Sequence, residues 1–333
     1  MSEFRVNGTQ PSSQPIYMRA AHRVIPKTRT GWIRVALAAA LITVSLLTNR
    51  QFLGWGLLAV FAILIVPVGR IRSLLVAFIP YTTVWFVFTF LRSFADETFL
   101  ATILNTKVAM TERWVFNGEL PTISLQASWY DPYNLRWYDY YLVFIHWSYF
   151  VVPHAVAVWL WWQQPARFRH YLAAMTLLLT IGLAIYFLIP SNPPWMAPES
   201  VNSPAAATTM RVMEPVAKSL GGGLYEAGYR IVGESNPIAA MPSIHMAITF
   251  LIPWAVRERG RVWLTLALFY SFSMGLALVY LGEHYVVDVV AGCLITSYSW
   301  YAAGAWLKRF SSSVVSHRAA NAVPTTPPHS SPA

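Results

Sequence analysis

Cysteine is all but missing from this 333-residue chain: Cys293 stands alone inside an apolar run. One thiol closes no intrachain disulfide, and metal sites built from several cysteines are excluded. Charge is scarce too. Asp, Glu, Lys and Arg make up 11% of the residues, against about 25% in a soluble domain, so water is not the main solvent of this chain. No internal repeat is apparent, and no stretch has the makeup of a second, soluble domain. The first apolar run lacks a convincing small-residue cleavage site, so it is expected to stay as an anchor.

What fills the chain instead is apolar and aromatic: 56% hydrophobic residues, with 15 Trp and 17 Tyr. That is the makeup of a lipid-solvated protein. Runs long enough to cross a bilayer lie near 32–49, 51–69, 73–91, 140–162, 170–190, 240–256, 262–281 and 284–306. The expected fold is all-α, a polytopic membrane helix bundle of about eight spans. A net charge of +10 does not point to nucleic acid, because the basic residues cluster at the ends of apolar runs, where they orient the chain. Sixteen of the 24 Lys and Arg, Arg70, Arg167, Arg257 and Lys308 among them, fall on one side, and twelve of the 14 acidic residues fall on the other. Both termini are then cytoplasmic, and the long segments 93–139 and 191–239 lie on the outer side.

Ionisable groups inside such runs are costly and need a reason. His245 follows Met241-Pro242-Ser243-Ile244, and His284 and Asp288 stand four apart in Gly282-Glu283-His284-Tyr285-Val286-Val287-Asp288. On a helix that spacing puts both on one face, where the carboxylate fixes an imidazole tautomer and steadies its cation. The pair reads as an activated nucleophile or base, and a helical hairpin returns His245 to the same membrane face. His146 and His154 in the fourth span have no third ligand at matching spacing and read as packing residues rather than a metal site. His22 and His170 sit among basic clusters and read as structural or solvated.

Residues 1–30 and 307–333 hold too little apolar surface to fold alone and read as disordered cytoplasmic tails. Residues 31–92 read as accessory transmembrane helices, and 93–306 as the membrane domain that holds the chemistry, with two extracytoplasmic loops. Loops of that length are more often functional than idle. The first includes Trp114 and Gln126; the second opens on Pro190-Ser191-Asn192-Pro193-Pro194-Trp195, where prolines stop a helix and stiffen an extended segment. Trp195 suits either the wall of a lipid headgroup pocket or an interfacial anchor.

These boxes resemble the membrane branch of the type 2 phosphatidic acid phosphatase superfamily, and within it the inositolphosphotransferases related to fungal inositol phosphorylceramide synthase. Pro242-Ser243-Ile244-His245 matches the Pro-Ser-x-His box, His284-x-x-x-Asp288 matches the last box, and Phe187 to Trp195 is similar to that branch's Pro-Pro-Trp segment. The likeness spans roughly residues 90 to 306 and implies a six-helix phosphatase-like core. It also implies two-step phosphoryl transfer through a phosphohistidine: His284 attacks phosphorus, Asp288 orients it, and His245 protonates the leaving oxygen.

One position departs from the pattern. Lipid phosphatases of the superfamily usually carry Ser-Arg shortly before the nucleophile, and here Ala277 and Leu278 stand there. Phosphoryl transfer needs positive charge around the equatorial oxygens. The expected donors are outward residues among Arg92, Lys107, Arg113, Arg136, Arg211, Lys218 and Arg230, with Arg136 and Arg230 preferred; an interfacial snorkelling role suits both equally. The helix start at Pro242 and Ser243 offers a further anion site. Ser243, Trp195, Gln126, Arg136 and Arg230 are thus the expected substrate contacts.

The implied function is a phosphotransferase that moves a phosphate-containing, inositol-phosphate-like headgroup from a phospholipid to a lipid or glycan alcohol, with no cofactor and no metal. Water as acceptor would instead make the chain a lipid phosphate or polyprenyl pyrophosphate phosphatase. A transporter or scaffold, with the His and Asp as proton relay, is the reading of another class. The expected setting is the plasma membrane, with the active site on the non-cytoplasmic face.

Overall fold

The computed structural model describes residues 71–197, 209–221 and 239–320, together with Ala36. The expected spans 32–49 and 51–69 and the tail 1–30 lie outside the described residues. From residue 71 onward the chain belongs to one compact unit, Gly69–Ala333. Its helices are α1 (Ile71–Arg92), α2 (Phe99–Leu104), α3 (Lys107–Val115), α4 (Pro121–Trp129), α5 (Trp137–Ser148), α6 (Val152–Gln163), α7 (Pro165–Leu188), α8 (Met213–Ser219), α9 (Ile244–Val256), α10 (Arg261–Tyr280) and α11 (Val286–Ala320). Among the described residues there is no strand, only a single bridge joining Ser191 and Ala239.

The protein is an all-α membrane helix bundle. Most of α1, all of α7 and α10, and the part of α11 up to Arg309 are long and apolar enough to cross a bilayer. The expected span 140–162 is broken: α5 and α6 meet at a 47° bend and qualify only as a pair. Pro153 explains the break, since it sits in the first turn of α6 and has no N–H to continue the ladder from α5. The expected span 240–256 is also shorter than its apolar run, because the helix begins at Ile244. At the far end α11 runs on to Ala320, into the stretch expected to be a tail. No Gly or Pro interrupts residues 305–320, and each added residue closes one more helical hydrogen bond.

α9 is apolar all round, and its neighbours cover it accordingly. Ile244, Ala247, Ile248, Leu251 and Ala255 are all buried, with α7, α10 and α11 packed against them. Two glycines make the close approach possible. A Cβ on Gly292 of α11 would lie 2.6 Å from the Ser243 carbonyl oxygen, and one on Gly182 of α7 would lie 2.5 Å from Ile244 Cδ1. One turn below Gly292, Thr296 donates to the Ala247 carbonyl at 2.7 Å, stitching α9 to α11 where lipid offers no competing partner. The outer faces of the bundle expose Phe90, Phe269, Leu294 and Tyr298, as a lipid-facing surface does.

The segment 93–139, expected as a long outer loop, is instead a succession of short helices, α2 to α4. The prolines and turn residues that suggested a loop mark their boundaries instead: Pro121 opens α4, and Asn117 and Gly118, both at positive φ, close α3. α3 is two-faced. Val108, Ala109 and Glu112 point inward and are buried, while Met110 and Trp114 are exposed.

Candidate active site

The depth of the site follows from unequal helix lengths. α9 and α10 are joined by the tight turn Arg257–Gly260 and hold 13 and 20 residues. At about 1.5 Å per residue, α9 stops about 10 Å short of the level at which α10 ends. His245, in the first turn of α9, is therefore recessed below the level at which α10 ends. His284 reaches the same depth by a different route. After α10 the chain turns back on itself, and the N–H groups of Glu283 and His284 both donate to the Leu278 carbonyl at 3.0 Å. Gly282 makes that reversal at φ +80°, where a Cβ would lie 2.9 Å from the Met210 carbonyl oxygen. Only glycine fits there without strain.

These two routes bring His245 Nδ1 to 3.3 Å from His284 Nε2. On the other side of the ring, His284 Nδ1 lies 3.6 Å from Asp288 Oδ2. The order carboxylate, imidazole, imidazole favours a proton on Nδ1 of His284 and leaves its Nε2 lone pair facing His245. Asp288 is wholly buried. Its Oδ2 accepts from the Tyr285 N–H at 2.9 Å, and its backbone carbonyl accepts from the Ser243 N–H at 3.1 Å, so the segments that carry His245 and Asp288 are hydrogen-bonded to each other.

A third histidine lies in the same cluster. The His146 ring of α5 is 4.9 Å from that of His245, and the Tyr149 ring is 4.4 Å away. The sequence reading of His146 and His154 as a packing pair holds for His154, which is hydrogen-bonded to the Tyr81 hydroxyl at 2.5 Å, but His146 sits against His245. Arg92, the last residue of α1, is within electrostatic range of His245, with its guanidinium 5.8 Å from the centre of the Tyr186 ring. Beside the turn that carries His284, Arg211 pairs with Glu283 at 2.9 Å and covers the Trp195 ring at 4.3 Å. The backbone N–H of Trp195 donates to the Gly282 carbonyl at 3.2 Å. The Pro-Pro-Trp segment thus lies directly against the turn that carries His284.

The other expected substrate contacts lie as follows. Ser243 caps α9, its hydroxyl accepting from the Met246 N–H at 3.2 Å. The anion site expected at Pro242 and Ser243 is reduced accordingly, because proline has no N–H and that of Ser243 is given to Asp288. Gln126 is a clamp between segments: its amide donates to the carbonyls of Met210 and Tyr280 at 2.9 and 2.8 Å, and its oxygen accepts from the Met210 N–H. Both amide protons are thereby used within the protein. Arg136 is exposed at the start of α5, ten residues before His146. Arg230 lies outside the described residues. Of the remaining cations, Lys107 is exposed, Arg113 donates to the Gly118 carbonyl, and Lys218 pairs with Glu214.

Sequence reasoning passed over Glu112 and read His146 as a packing residue. Glu112 of α3 is buried, its two carboxylate oxygens accepting from the N–H groups of Val286 and Val287 at the start of α11. A signal for it existed in the spacing of Val108, Ala109 and Glu112 on one face of a helix whose other face carries Met110 and Trp114. For His146 no local signal exists, since only the packing of α5 against α9 and α10 gives it a partner.

No curated protein and no solved structure gives a significant match to the chain. A family model described as the PAP2 superfamily matches residues 128–302, a stretch that contains α5 to α10, the part of α11 up to Ala302, and all three residues of the His245–His284–Asp288 cluster. The chain therefore belongs to the PAP2 superfamily, and is a membrane enzyme of the phosphatase and phosphotransferase type.

Proposed function

We propose that this enzyme transfers a phosphate-containing headgroup, inositol-phosphate-like, from a membrane phospholipid to an alcohol acceptor through a phosphohistidine on His284. The observation that carries the reading is the 3.3 Å approach of His245 Nδ1 to His284 Nε2 with Asp288 behind. In the first half-reaction His284 Nε2 forms a bond to phosphorus, the ester bond to the diacylglycerol oxygen breaks, and His245 gives that oxygen its proton. In the second, His245 takes the proton of the acceptor hydroxyl, whose oxygen bonds to phosphorus as the P–N bond breaks. His284 returns to its starting state. The reaction runs on the non-cytoplasmic face of the plasma membrane.

Arg92 supplies the positive charge that the missing family arginine would have given, entering from α1 rather than from the helix before the nucleophile. Trp195 and the Arg211–Glu283 pair wall the headgroup site. The indole N–H of Trp195 is buried without a protein acceptor, which suits a donor to a headgroup oxygen. A wall of this kind beside the nucleophile favours an alcohol acceptor over bulk water, because a partly dry pocket selects by contact rather than by concentration.

The test is turnover of phosphatidylinositol by the purified protein in lipid, with candidate alcohol acceptors and with His284→Ala alongside, following free phosphate and new phosphodiester lipids by mass spectrometry. A new phosphodiester that depends on His284 is the expected product. Free phosphate from a monoester lipid would assign the chain to hydrolysis, and substrate flux without any lipid turnover would assign it to transport.

A further inference from the structure

Glu112 belongs to none of the family boxes, yet it is wholly buried and its carboxylate ends on the helix that carries Asp288. An α-helix opens with N–H groups that have no partner of their own. At the start of α11 these are taken by two carboxylates. Asp288 Oδ2 accepts from Tyr285, while Glu112 Oε1 and Oε2 accept from Val286 and Val287, all three at 2.9 Å. One carboxylate comes from the helix itself, and the other from α3, more than 170 residues earlier. We infer that Glu112 is a positioning residue for phosphoryl transfer, clamping the first turn of α11 from α3 so that Asp288 meets His284 in a fixed direction. The inference rests on His284 acting as the nucleophile.

Three observations argue that this is more than a helix cap. First, the contact it would control has little tolerance. His284 Nδ1 and Asp288 Oδ2 are 3.6 Å apart, beyond the range of a good hydrogen bond, so a small rotation of the first turn either completes or loses it. Second, the same helix grips the residue between them: Val108 and Ala109 of α3 pack with Leu120 against the Tyr285 ring. His284 and Asp288 thus flank a stretch held by α3 through both its side chain and its backbone. Third, a neutral cap would cost less. Burial pushes the Glu112 carboxyl up from its ordinary 4.5, the charge of Asp288 adds to this, and the two backbone N–H groups pull it back. A charge kept at such a place costs folding energy that serine or asparagine would not. Its benefit is bidentate geometry, since both oxygens of one rigid group hold two successive N–H groups at once.

Glu112 also decides where a phosphate cannot go. The start of α11 would otherwise attract an anion through its N–H groups and dipole. With Glu112 on them, the substrate phosphate is left to the opposite side of His284, facing His245.

The test uses the full-length protein in lipid, with Glu112→Gln as the near-isosteric variant that keeps one acceptor and loses the other. Misplacement of about 1 Å can cost about 100-fold in rate, so kcat should fall between about 10- and 100-fold while KM for the donor lipid and the unfolding temperature stay near wild type. Glu112→Asp, one methylene shorter but still charged, should recover part of the loss and takes the place of the Gln variant should that one not fold. Wild-type kcat in a folded variant would overturn the inference. So would a rise in KM at unchanged kcat, or a loss of rate that only tracks loss of fold. His284→Ala separates this from the functional proposal: turnover in that variant defeats the nucleophile assignment, whereas an inactive His284→Ala beside a fully active Glu112→Gln defeats only the role of Glu112.

Discussion

The two ends of the bundle are built from the same residue types and put them to opposite uses. At the Arg-rich end, the His170 ring stacks on Trp300 at 3.8 Å and its Nε2 lies 2.8 Å from the Trp300 carbonyl oxygen. Arg167 pairs with Glu258 and donates to the Ala255 carbonyl, while Arg257 and Arg259 cover the rings of Trp254 and Trp159. Each polar group there ends on a ring face, a helix carbonyl or an exposed carboxylate, which anchors helix ends at an interface. At the opposite end, imidazole faces imidazole, and the carboxylates of Asp288 and Glu112 are buried on backbone N–H groups. A histidine that touches another titratable side chain can pass a proton on; one that touches a carbonyl and an indole holds its place. Composition does not separate the two ends. What the neighbouring group is able to do separates them.

Replacing one histidine at each end gives the sharpest contrast. His284→Ala should remove turnover by about 1,000-fold or more, as loss of a covalent nucleophile does, whereas His170→Ala should leave the rate within about twofold, the effect of losing an anchor. Both are read by mass spectrometry of the lipid products, and comparable losses at the two positions would erase the distinction drawn above. His245→Ala comes next, with a loss of about 100- to 10,000-fold expected for a general acid. That loss should shrink for a donor with a more acidic leaving group, which needs no proton. Gly292→Ala should follow at about 100-fold, because its new methyl meets a backbone carbonyl at 2.6 Å and spreads α9 from α11, carrying His245 away from His284.

Two pH experiments give smaller effects. Since His284 must attack unprotonated while His245 must donate, kcat should follow a bell-shaped pH profile when chemistry limits the rate. A flat profile across the range where histidine titrates would defeat the paired roles. Stability should carry the mark of Glu112, whose facing titratable groups are Tyr285 and Asp288, with Lys107 and Arg113 on its own helix. Its folded pKa is raised above the ordinary 4.5. Its contribution to stability is therefore fully present below that value and is lost as pH rises through the folded pKa. The unfolding temperature of the wild type, relative to Glu112→Gln, should fall as the pH is raised from about 4 to about 6. An unchanged difference would mean that Glu112 titrates normally.

Much of the site was legible along the chain. The order of the boxes, the four-residue step from His284 to Asp288, and the scarcity of charge inside apolar runs single out His245, His284 and Asp288 before any coordinates are considered. The contributions of Gln126 and Arg136 were not legible. An amide or a guanidinium in an outward segment has the right chemistry for a phosphate, and nothing in the local sequence tells whether backbone groups or distance have already claimed it. Gln126 is held by Met210 and Tyr280, from two other segments. Arg136 is exposed at the start of α5. Glu112 and His146 show the converse, since ordinary local surroundings conceal partners that arrive from 174 and 99 residues away.

The sequence by itself determined the solvent of the chain, its helical class and the residues able to move a proton or a phosphoryl group, because hydropathy and residue chemistry are local properties. The tertiary structure decided which of those residues meet. It recessed His245 by making α9 shorter than α10, turned His284 back through Gly282 onto Leu278, and brought Glu112 to the start of α11. Each is a matter of where helices end and how closely their backbones approach, which is fixed by packing between segments far apart in the chain and not by any one of them alone.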